Sequence, residues 1–522
     1  MPTYTEAMAE QPSTPVDLTV EVTGGQVVGV LRRGLRMWRG IPYAASTAGE
    51  NRFRAPQPVE PWSGVRNAAT FGPIAPQDRG TLAPAPSSLG SSSEDCLSLN
   101  VITPRFESRR LRPVMVYLHG GAYAVGSSRD MPQQGEGLVR EGGVVFVNLN
   151  YRLGAFGFLD LARFSTPERP IENNLGLKDM IAALEWVRDN IRAFGGDPDN
   201  VTLFGESAGA NAVTTLMCVP AARGLFARAI AESSPAEAVY VAEVTRQWGA
   251  DFVAVLAAVS GRPAPASDAE AASLLTQASM AELVAATNRT MRETPDRVPG
   301  TIALCPTIDG EFLPTRPIRA FAEGTAHPIP LIIGTNEREG SIFRGRLDIL
   351  ATTPHRIQGI FVKTGRAVAR ALAAQYPHLP TRRGRADFGG DYAFWYPSIE
   401  VAEGHSRYAP VYFYRFDIAP RLAKLLGLDA THGIELFAVF DRSRTAFGRV
   451  MGSLGGFRDF ERTGRRMRAN WLRFAREGSV DAGWPAYTEE HRATLIIDSE
   501  DRVEEDPRSE RRIAWSEFVP HI

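Results

Sequence analysis

The sequence predicts an α/β fold, in which a mostly parallel β-sheet carries helices on both faces, and three observations support this. Short apolar runs in "PVMVYLHGG" and "GGVVFVNLNYR" each stop at glycines or polar residues, as buried strands of a parallel sheet do. The stretch 176–196 carries apolar side chains at helical spacing and closes on a glycine pair. A third apolar run, "NVTLF", follows it. Strands that alternate with amphipathic helices are typical of this fold class.

The rest of the chain adds elements on both sides of this alternation. Residues 1–16 form a polar tail, and alternating residues around "TGG" predict an N-terminal hairpin or meander. A stretch rich in Pro, Gly and Ser at 75–95 predicts a surface loop. Residues 17–522 then form one domain, with helical insertions around 241–300 and 344–400 that cover one end of the sheet. Further strands are expected at 329–335, 409–416 and 493–498.

Composition and charge exclude several classes of protein. The 522 residues are 44% hydrophobic and 22% charged, which is typical of a soluble globular chain. The 58 Lys and Arg residues nearly balance the 59 Asp and Glu residues, so the net charge is −1 and we expect no nucleic-acid partner. No apolar stretch reaches the roughly 18 residues of a membrane span, and the N-terminus does not resemble a secretory signal. We therefore expect no membrane partner either.

The cysteines favour a reducing compartment. There are three of them, Cys96, Cys218 and Cys305, and none lies at C-x-x-C spacing. Neither a disulfide framework nor a zinc site is expected from this pattern. We predict a cytoplasmic protein that needs no metal or other cofactor and exists as a monomer or homodimer.

The motif "GESAG" places Ser207 between Gly205 and Gly209, directly after the apolar run at 201–204. A G-x-S-x-G sequence between a strand and a helix forms a sharp turn that presents the serine as a nucleophile, and small flanking residues prevent clashes. The residues that follow, "ANAVTTLMCV", are suited to begin that helix. The alternative is a serine that only packs in a tight turn, because Gly and Ser are common in turns.

A nucleophilic serine needs donors that stabilise an oxyanion. The backbone N–H of Ala208, directly after the serine, is one such donor. The loop "YLHGGAY", 117–123, supplies others after an earlier strand, because its small residues let the main chain approach a substrate.

The serine also needs a base, which an acid orients, and both are expected downstream in the order acid, then histidine. Of the eight histidines, His432 in "GLDATHGIELFAVF" precedes an apolar run, where we expect a base presented at a strand end. A structural histidine is the alternative, and spacing alone does not select His432. Glu337 and Glu339, in "LIIGTNEREGSIF", both follow an apolar strand, and the residues alone do not decide between them.

Together these residues resemble the type-B carboxylesterase family, which includes bacterial para-nitrobenzyl-type esterases, animal carboxylesterases, cholinesterases and the non-catalytic neuroligins. The resemblance runs from "WRGIPYA" (38–44) to "WPAYTEEHRATLIID" (484–498) and covers almost the entire chain. It implies an α/β-hydrolase fold in which helical insertions cover an active-site gorge. The motifs that carry it are "SEDCLSLNV", "YLHGGAY", "NYRLGAFGFL", "FGGDPDNVTLFGESAG", "GTNEREGSIF" and "THGIELF".

The resemblance also implies roles for individual residues. Ser207 is the nucleophile, and His432 is the general acid and base. Glu339, which directly precedes the glycine of its loop, is the acid that orients the histidine. Glu206 lies buried beside the serine, where it favours a positive charge on the substrate or on the imidazole. The oxyanion donors are the N–H groups of Gly121, Ala122 and Ala208.

The resemblance further indicates the character of the substrate pocket. Ile302 and Leu304 stand where cholinesterases carry acyl-pocket aromatics, which implies an aliphatic acyl site, and Phe343 is a further pocket candidate. The stretch 75–95 contains no aromatic residue to match the cation-binding tryptophan of cholinesterases, so choline esters are poor candidates. Arg338 replaces the family's usual aspartate and is placed in the sequence to pair with Glu339 or Glu337.

We therefore expect a serine hydrolase that cleaves short- to medium-chain or aryl carboxylic esters, its small-molecule partners, through an acyl-enzyme intermediate. Two alternatives use the same site: a lipase, and a specialised esterase for a drug, toxin or carbamate. A third is a non-catalytic binding module of the same fold.

Overall fold

A computed structural model describes residues 17–78, 90–130, 133–343, 348–442 and 445–518. The predicted polar tail at 1–16 lies outside the described residues, and so does the central part of the predicted surface loop, 79–89.

The described residues contain sixteen strands. They are β1 Thr19–Val22, β2 Gly25–Val28, β3 Val30–Arg32, β4 Leu35–Pro42, β5 Val65–Asn67, β6 Ser98–Pro104, β7 Arg112–Leu118, β8 Val145–Leu149, β9 Gly196–Glu206, β10 Arg228–Glu232, β11 Tyr240–Val241, β12 Thr307–Ile308, β13 Leu331–Asn336, β14 Val411–Phe416, β15 Ala493–Ile497 and β16 Arg502–Glu505.

Eleven strands form one sheet in the order β16-β15-β14-β13-β10-β9-β7-β8-β6-β4-β3. The seven strands from β15 to β8 in that order pair in parallel. The pairs at the two edges are antiparallel. This arrangement confirms the predicted mostly parallel sheet, and β1 and β2 form the predicted N-terminal hairpin.

Sixteen α-helices lie in the described residues, and a π-helical turn, Asp391–Trp395, joins α10 to α11. The helices are α1 Glu136–Gly142, α2 Leu175–Asn190, α3 Ala208–Leu216, α4 Ala242–Val259, α5 Asp268–Gln277, α6 Met280–Arg297, α7 Pro317–Glu323, α8 Pro354–Lys363, α9 Arg366–Ala374, α10 Arg382–Gly390, α11 Tyr396–Ser406, α12 Arg421–Leu425, α13 Leu436–Val439, α14 Ala446–Met451, α15 Phe457–Glu477 and α16 Ser509–Ser516.

Each face of the large sheet packs into its own apolar core. Along β7, Val114 and Val116 belong to one core, while Met115 and Tyr117 belong to the other. Successive side chains of a strand point to opposite faces, so a strand buried on both sides is apolar throughout. Helix α2 packs on the first core and α15 on the second. This double burial explains the continuous apolar runs in the sequence.

Local sequence determines where several helices begin. Helix α6 starts with a capping box: Ser279 Oγ accepts a hydrogen bond from the Glu282 N–H (3.2 Å), and Glu282 Oε2 accepts one from the Ser279 N–H (2.7 Å). Helices α4 to α6 lie within 241–300, and α8 to α10 lie within 344–400. The grouping of 17–522 into a single domain stays a prediction.

The parallel strands bring the functional loops to one edge of the sheet. The carboxyl ends of parallel strands meet at the same edge, and ligands of open α/β sheets bind there. The loop at 119–123 follows β7, Ser207 follows β9, Ser233 follows β10 and Glu339 follows β13. Seven strands, β3 to β9, lie between the N-terminal hairpin and Ser207 in sequence, yet the closest partners of Ser207 come from these neighbouring strand ends.

Candidate active site

Ser207 forms the turn between β9 and α3. Its backbone has φ +59° and ψ −125°, a conformation that costs a residue other than glycine about 1–3 kcal/mol. Two hydrogen bonds hold the turn: the Ser207 N–H donates to the Glu232 carbonyl oxygen (2.9 Å), and the Asn211 N–H donates to the Ser207 carbonyl oxygen (2.9 Å). The strained geometry is that of a nucleophile elbow.

The two glycines of the motif are required by close packing of the backbone. A Cβ atom on Gly209 would lie 2.1 Å from the carbonyl oxygen of Leu118, and one on Gly205 would lie 2.6 Å from the carbonyl carbon of Gly209. Because both obstacles are backbone atoms, no side-chain movement relieves them. The elbow therefore excludes every residue larger than glycine at these two positions.

The glycine-rich loop after β7 lies directly against the serine. A Cβ atom on Gly120 would lie 3.0 Å from Ser207 Cβ. Gly121 (φ +114°) and Ala122 (φ +53°) are in positive-φ conformations that turn the main chain. Within the described part of the chain, the N–H groups of Gly121, Ala122 and Ala208 donate to no other group, and these residues line the same cavity as Ser207. Unpaired donors of this kind are suited to bind an oxyanion.

Glu339 and His432 form a close pair. His432 Nδ1 lies 2.5 Å from Glu339 Oε2, and both side chains are buried. The other carboxylate oxygen, Glu339 Oε1, accepts hydrogen bonds from Ser233 Oγ (2.6 Å) and the Asn336 N–H (2.5 Å). These two donors fix the carboxylate, which in turn orients the imidazole. Of the two acids that the sequence left open, the one beside the histidine is Glu339.

His432 Nε2 faces Glu206. It lies 3.1 Å from Glu206 Oε1 without hydrogen-bond geometry. Ser207 and His432 line one cavity, but the structure gives no hydrogen bond between Ser207 Oγ and the imidazole among the described residues. In unliganded enzymes such catalytic hydrogen bonds are often long and shorten when substrate binds.

The charges around His432 oppose the effect of burial on its pKa. Burial lowers the pKa of His432, but the carboxylates of Glu206 and Glu339 raise it by more, so the net pKa lies above the ordinary value. Burial raises the pKa of Glu206 to about 7, and this increase is limited by the attraction of His432. The two groups interact strongly enough to titrate as a pair.

Sequence reasoning missed five residues whose polar side-chain groups lie beneath this pair. Ser233 Oγ, which contacts Glu339, also lies 3.2 Å from Glu435 Oε1. Asn336 Nδ2 donates a hydrogen bond to the other carboxylate oxygen, Glu435 Oε2 (2.5 Å). Trp471 Nε1 donates to Glu232 Oε1 (2.6 Å). Ser233 and Glu232 sit at the end of β10, and position at a strand end is the one sequence signal that points to them.

The cavity at Ser207 has a volume of about 180 Å³. It is lined by the predicted pocket residues Ile302, Leu304 and Phe343, whose side chains are apolar. Phe394 of the π-helical turn, which the sequence did not indicate, also lines it, with its ring centroid 4.4 Å from that of His432. The cavity therefore has a polar edge beneath an apolar and aromatic wall.

The expected partner of Arg338 was wrong. Arg338 Nε donates to Asp387 Oδ1 (2.9 Å), and Nη1 donates to Asp429 Oδ2 (2.5 Å), so neither Glu337 nor Glu339 is its partner. Asp387 lies in α10 and Asp429 in the loop that carries His432. Arg338 therefore ties the acid loop to an insertion helix and to the histidine loop, because its planar fork reaches both carboxylates at once.

No cluster of three or more His, Cys, Asp or Glu side chains among the described residues is arranged to hold a metal ion. No helix in the described ranges is both long and apolar enough to cross a membrane.

The strand order and the strained serine turn beside a glycine-rich loop define an α/β hydrolase. The chain belongs to the carboxylesterase family, because residues 16–515 match that family's profile, described as "Carboxylesterase family". It is therefore an enzyme of the carboxylic ester hydrolase class, and the relatives below agree with this.

Relatives of known name resemble the chain over most of its length. Para-nitrobenzyl esterase of Bacillus subtilis (strain 168) is 38% identical over 94% of this chain and 96% of its own. Liver carboxylesterase of Sus scrofa is 32% identical over 92% of this chain and 89% of its own. A solved structure titled PNB esterase has a TM-score of 0.84 at 36% identity and covers 97% of this chain and 100% of its own. A carboxylesterase structure from Geobacillus stearothermophilus has a TM-score of 0.80 at 32% identity, over 95% of this chain and 100% of its own.

Proposed function

We propose that Ser207, His432 and Glu339 form a catalytic triad that hydrolyses carboxylic esters through an acyl-enzyme. One observation carries the proposal: the Glu339 carboxylate lies 2.5 Å from His432 Nδ1, and His432 lines the same cavity as Ser207. A serine hydroxyl is a weak nucleophile unless a positioned base takes its proton.

In the first step Ser207 Oγ attacks the ester carbonyl carbon while His432 Nε2 takes the hydroxyl proton. The imidazolium that forms is stabilised by Glu339. The carbonyl oxygen becomes an oxyanion and accepts hydrogen bonds from Gly121, Ala122 and Ala208. The carbon–oxygen bond to the alcohol then breaks, and His432 returns the proton to the departing alcohol oxygen, which leaves Ser207 acylated.

In the second step a water molecule attacks the acyl-enzyme. His432 takes a proton from the water, the same three N–H groups hold the second oxyanion, and the bond to Ser207 Oγ breaks as His432 returns the proton to it. The carboxylic acid is released and the enzyme is restored.

The cavity supports short- to medium-chain or aryl esters as substrates. A cavity of roughly 150 Å³ holds a benzene molecule, and the cavity at Ser207 is about 180 Å³ with an apolar wall. The relative named para-nitrobenzyl esterase is consistent with an aryl group in the substrate. A cytoplasmic location and a monomeric or homodimeric state stay predictions from the sequence.

Two substitutions at the triad test the proposal. Ser207→Ala should lower kcat for p-nitrophenyl butyrate by at least about 10⁴-fold, because no other group attacks the carbonyl. Glu339→Gln should lower kcat by about 10²- to 10⁴-fold, because the amide no longer stabilises the imidazolium.

Glu337→Gln is the matched control, since Glu337 is two residues away and its charged neighbours are Asp417, Arg508 and Arg415 rather than His432. It should leave kcat close to that of the unmodified enzyme. Retention of most activity in Ser207→Ala would refute the proposal. Loss of activity in Glu337→Gln alone would refute the choice of acid.

A further inference from the structure

A second cavity adjoins the one at Ser207. Five residues line both cavities, so the two cavities lie side by side. The shared residues are Pro235, Ala238, Ile302, Ile349 and Leu350. An ester whose carbonyl lies at Ser207 therefore has the second cavity beside it.

The π-helical turn shapes both cavities. Phe394 lines the cavity at Ser207, while Tyr392 and Ala393 line the second cavity. A π-helical turn inserts one extra residue into a helix and is frequent at functional sites. This turn therefore indicates that the second cavity is part of the substrate-binding apparatus.

Aromatic rings form much of the wall of the second cavity. Tyr396 stacks on Trp515 with centroids 5.7 Å apart, and Tyr392 packs edge-to-face on Phe518 at 5.9 Å. Tyr240 completes the group. The faces of Tyr and Trp rings attract cations.

The charges in the second cavity do not balance. Arg316 pairs with Glu237 at 2.7 Å. Glu400, on α11, lines the same cavity but has no hydrogen bond or ion pair within the described residues. Arg316 also attracts Glu400, so two carboxyl groups share one guanidinium in this aromatic cavity.

The surroundings of Glu400 favour a positively charged ligand. Burial, followed by the carboxylates of Glu237 and Glu403, raises the pKa of Glu400 to about 8, and the attraction of Arg316 offsets only part of this increase. A cation bound beside Glu400 would favour its ionised form and satisfy its oxygen atoms. An anionic ligand is disfavoured, because Arg316, the guanidinium that lines this cavity, already pairs with Glu237.

We propose that the second cavity binds a primary ammonium group at the far end of an ester substrate, with Glu400 as its ion-pair partner. This inference rests on the proposed function, because it places the ester carbonyl at Ser207. It names a class of substrate, esters that carry an amino group several bonds from the carbonyl.

Matched pairs of substrates test this site. The first member of each pair is a p-nitrophenyl ω-aminoalkanoate with a chain of six to ten carbons. The second is the ester in which a methyl group replaces the terminal ammonium. In the unmodified enzyme, kcat/KM for the ammonium ester should equal or exceed that of its methyl partner for at least one chain length. Preference for the methyl partner by more than about tenfold at every length would overturn the proposal.

Glu400→Gln tests the role of the carboxyl group. It should lower the ratio of kcat/KM for the preferred ammonium ester to kcat/KM for its methyl partner by about tenfold or more. Glu490→Gln is the charge-matched control, because the Glu490 side chain is 86% exposed and lines neither of the two cavities. It should leave kcat/KM unchanged for both the ammonium ester and the methyl ester.

Each remaining outcome is also decisive. An equal loss of kcat/KM in Glu400→Gln and Glu490→Gln would show a general effect of net charge and would overturn the proposal. An unchanged kcat/KM for the ammonium ester in Glu400→Gln would also overturn it. If Glu400→Gln does not fold, the comparison of matched substrates in the unmodified enzyme decides alone. Failure of the unmodified enzyme to hydrolyse even the methyl esters would count against the proposed function rather than against the ammonium site.

Discussion

Glu206 is adjacent to Ser207 in the chain and to His432 in space. Its Oε1 atom lies 3.1 Å from His432 Nε2, the nitrogen that has to accept the serine proton. The imidazole acts as a base only when it is neutral, yet the carboxylates of Glu206 and Glu339 favour its charged form. The same acids that stabilise the imidazolium in the reaction therefore raise the pH at which His432 becomes a base.

Replacement of Glu206 should alter the pH dependence of the reaction. His432 must lose its proton to work, so kcat/KM rises with pH through the pKa of His432. Glu206→Gln removes a carboxylate that stabilises the imidazolium, so this rise should move to lower pH by about one unit. The measurement is a profile of kcat/KM against pH for p-nitrophenyl butyrate.

Glu337→Gln serves as the control for this profile and should leave the rise in place, because Glu337 does not contact His432. A rise that stays at the same pH, or moves to higher pH, in Glu206→Gln would contradict the expected coupling between Glu206 and His432.

Some site residues were predictable from the sequence, and others were not. Ser207 is marked by its flanking glycines, because their role is local. Arg338 is not, because its partners Asp387 and Asp429 lie 49 and 91 residues away. The same holds for Glu435, which reaches Ser233 across 202 residues. A local sequence pattern does not reveal contacts between residues so far apart in the chain.

Among the elements, the serine turn has the tightest packing. The backbone of α3 at Gly209 lies so close to the end of β7 that a Cβ atom would meet three backbone atoms of Leu118 and His119 within 2.9 Å. The strand, the turn and the helix thus depend on one another. A change here alters the position of the proposed nucleophile and of the proposed oxyanion donors together.

Gly209→Ala should destabilise the protein by about 3 kcal/mol, because its Cβ atom would displace backbone rather than a side chain. It should also reduce kcat, since the Ser207 turn would shift. Gly365→Ala is the control: a Cβ atom there meets nothing within 4 Å, and we expect a loss below about 1 kcal/mol. The midpoint of urea unfolding measures the loss of stability in both variants. Equal midpoints in the two variants would contradict the packing argument.

The element that carries His432 differs from the expectation. We expected His432 to be presented at a strand end, but it lies in the loop between α12 and α13, and the apolar run after it contains α13. The reason is topological: β14 and β15 pair directly in parallel, and a parallel connection has to cross over outside the sheet. A short apolar run does not reveal which of these two structures it forms.

At the scale of the whole molecule, the interior holds several carboxyl groups that favour protonation. Burial raises the pKa of Glu232 to about 8 and raises that of Glu435 well above its ordinary value. The folded state therefore binds more protons than the unfolded state above the ordinary pKa of glutamate. Stability consequently falls as the pH rises through this range.

Glu232→Gln should reduce this loss of stability. The glutamine oxygen still accepts the hydrogen bond from Trp471, but the side chain no longer ionises. Between about pH 5 and pH 8, the free energy of unfolding should fall by a few kcal/mol less in the variant than in the unmodified protein. Urea unfolding at several pH values measures this, and parallel curves for the two proteins would contradict it.

The central sheet was more predictable than its edges. Strands β7, β8 and β9 are buried on both faces and read as apolar runs. Strand β16, with the sequence "RVEE", pairs on one side only and is largely exposed, so its composition gives no such signal. The sequence pattern therefore reveals strands that are buried on both faces, but not an exposed strand that is only paired.

The π-helical turn Asp391–Trp395 has a consequence for how this enzyme can diverge. One residue corresponds to a rotation of about 100° along an α-helix. Loss of a single residue from this turn would therefore swing Phe394 and Tyr392 away from the two cavities in one event. A deletion of one codon would thus change the walls of both cavities in a single step.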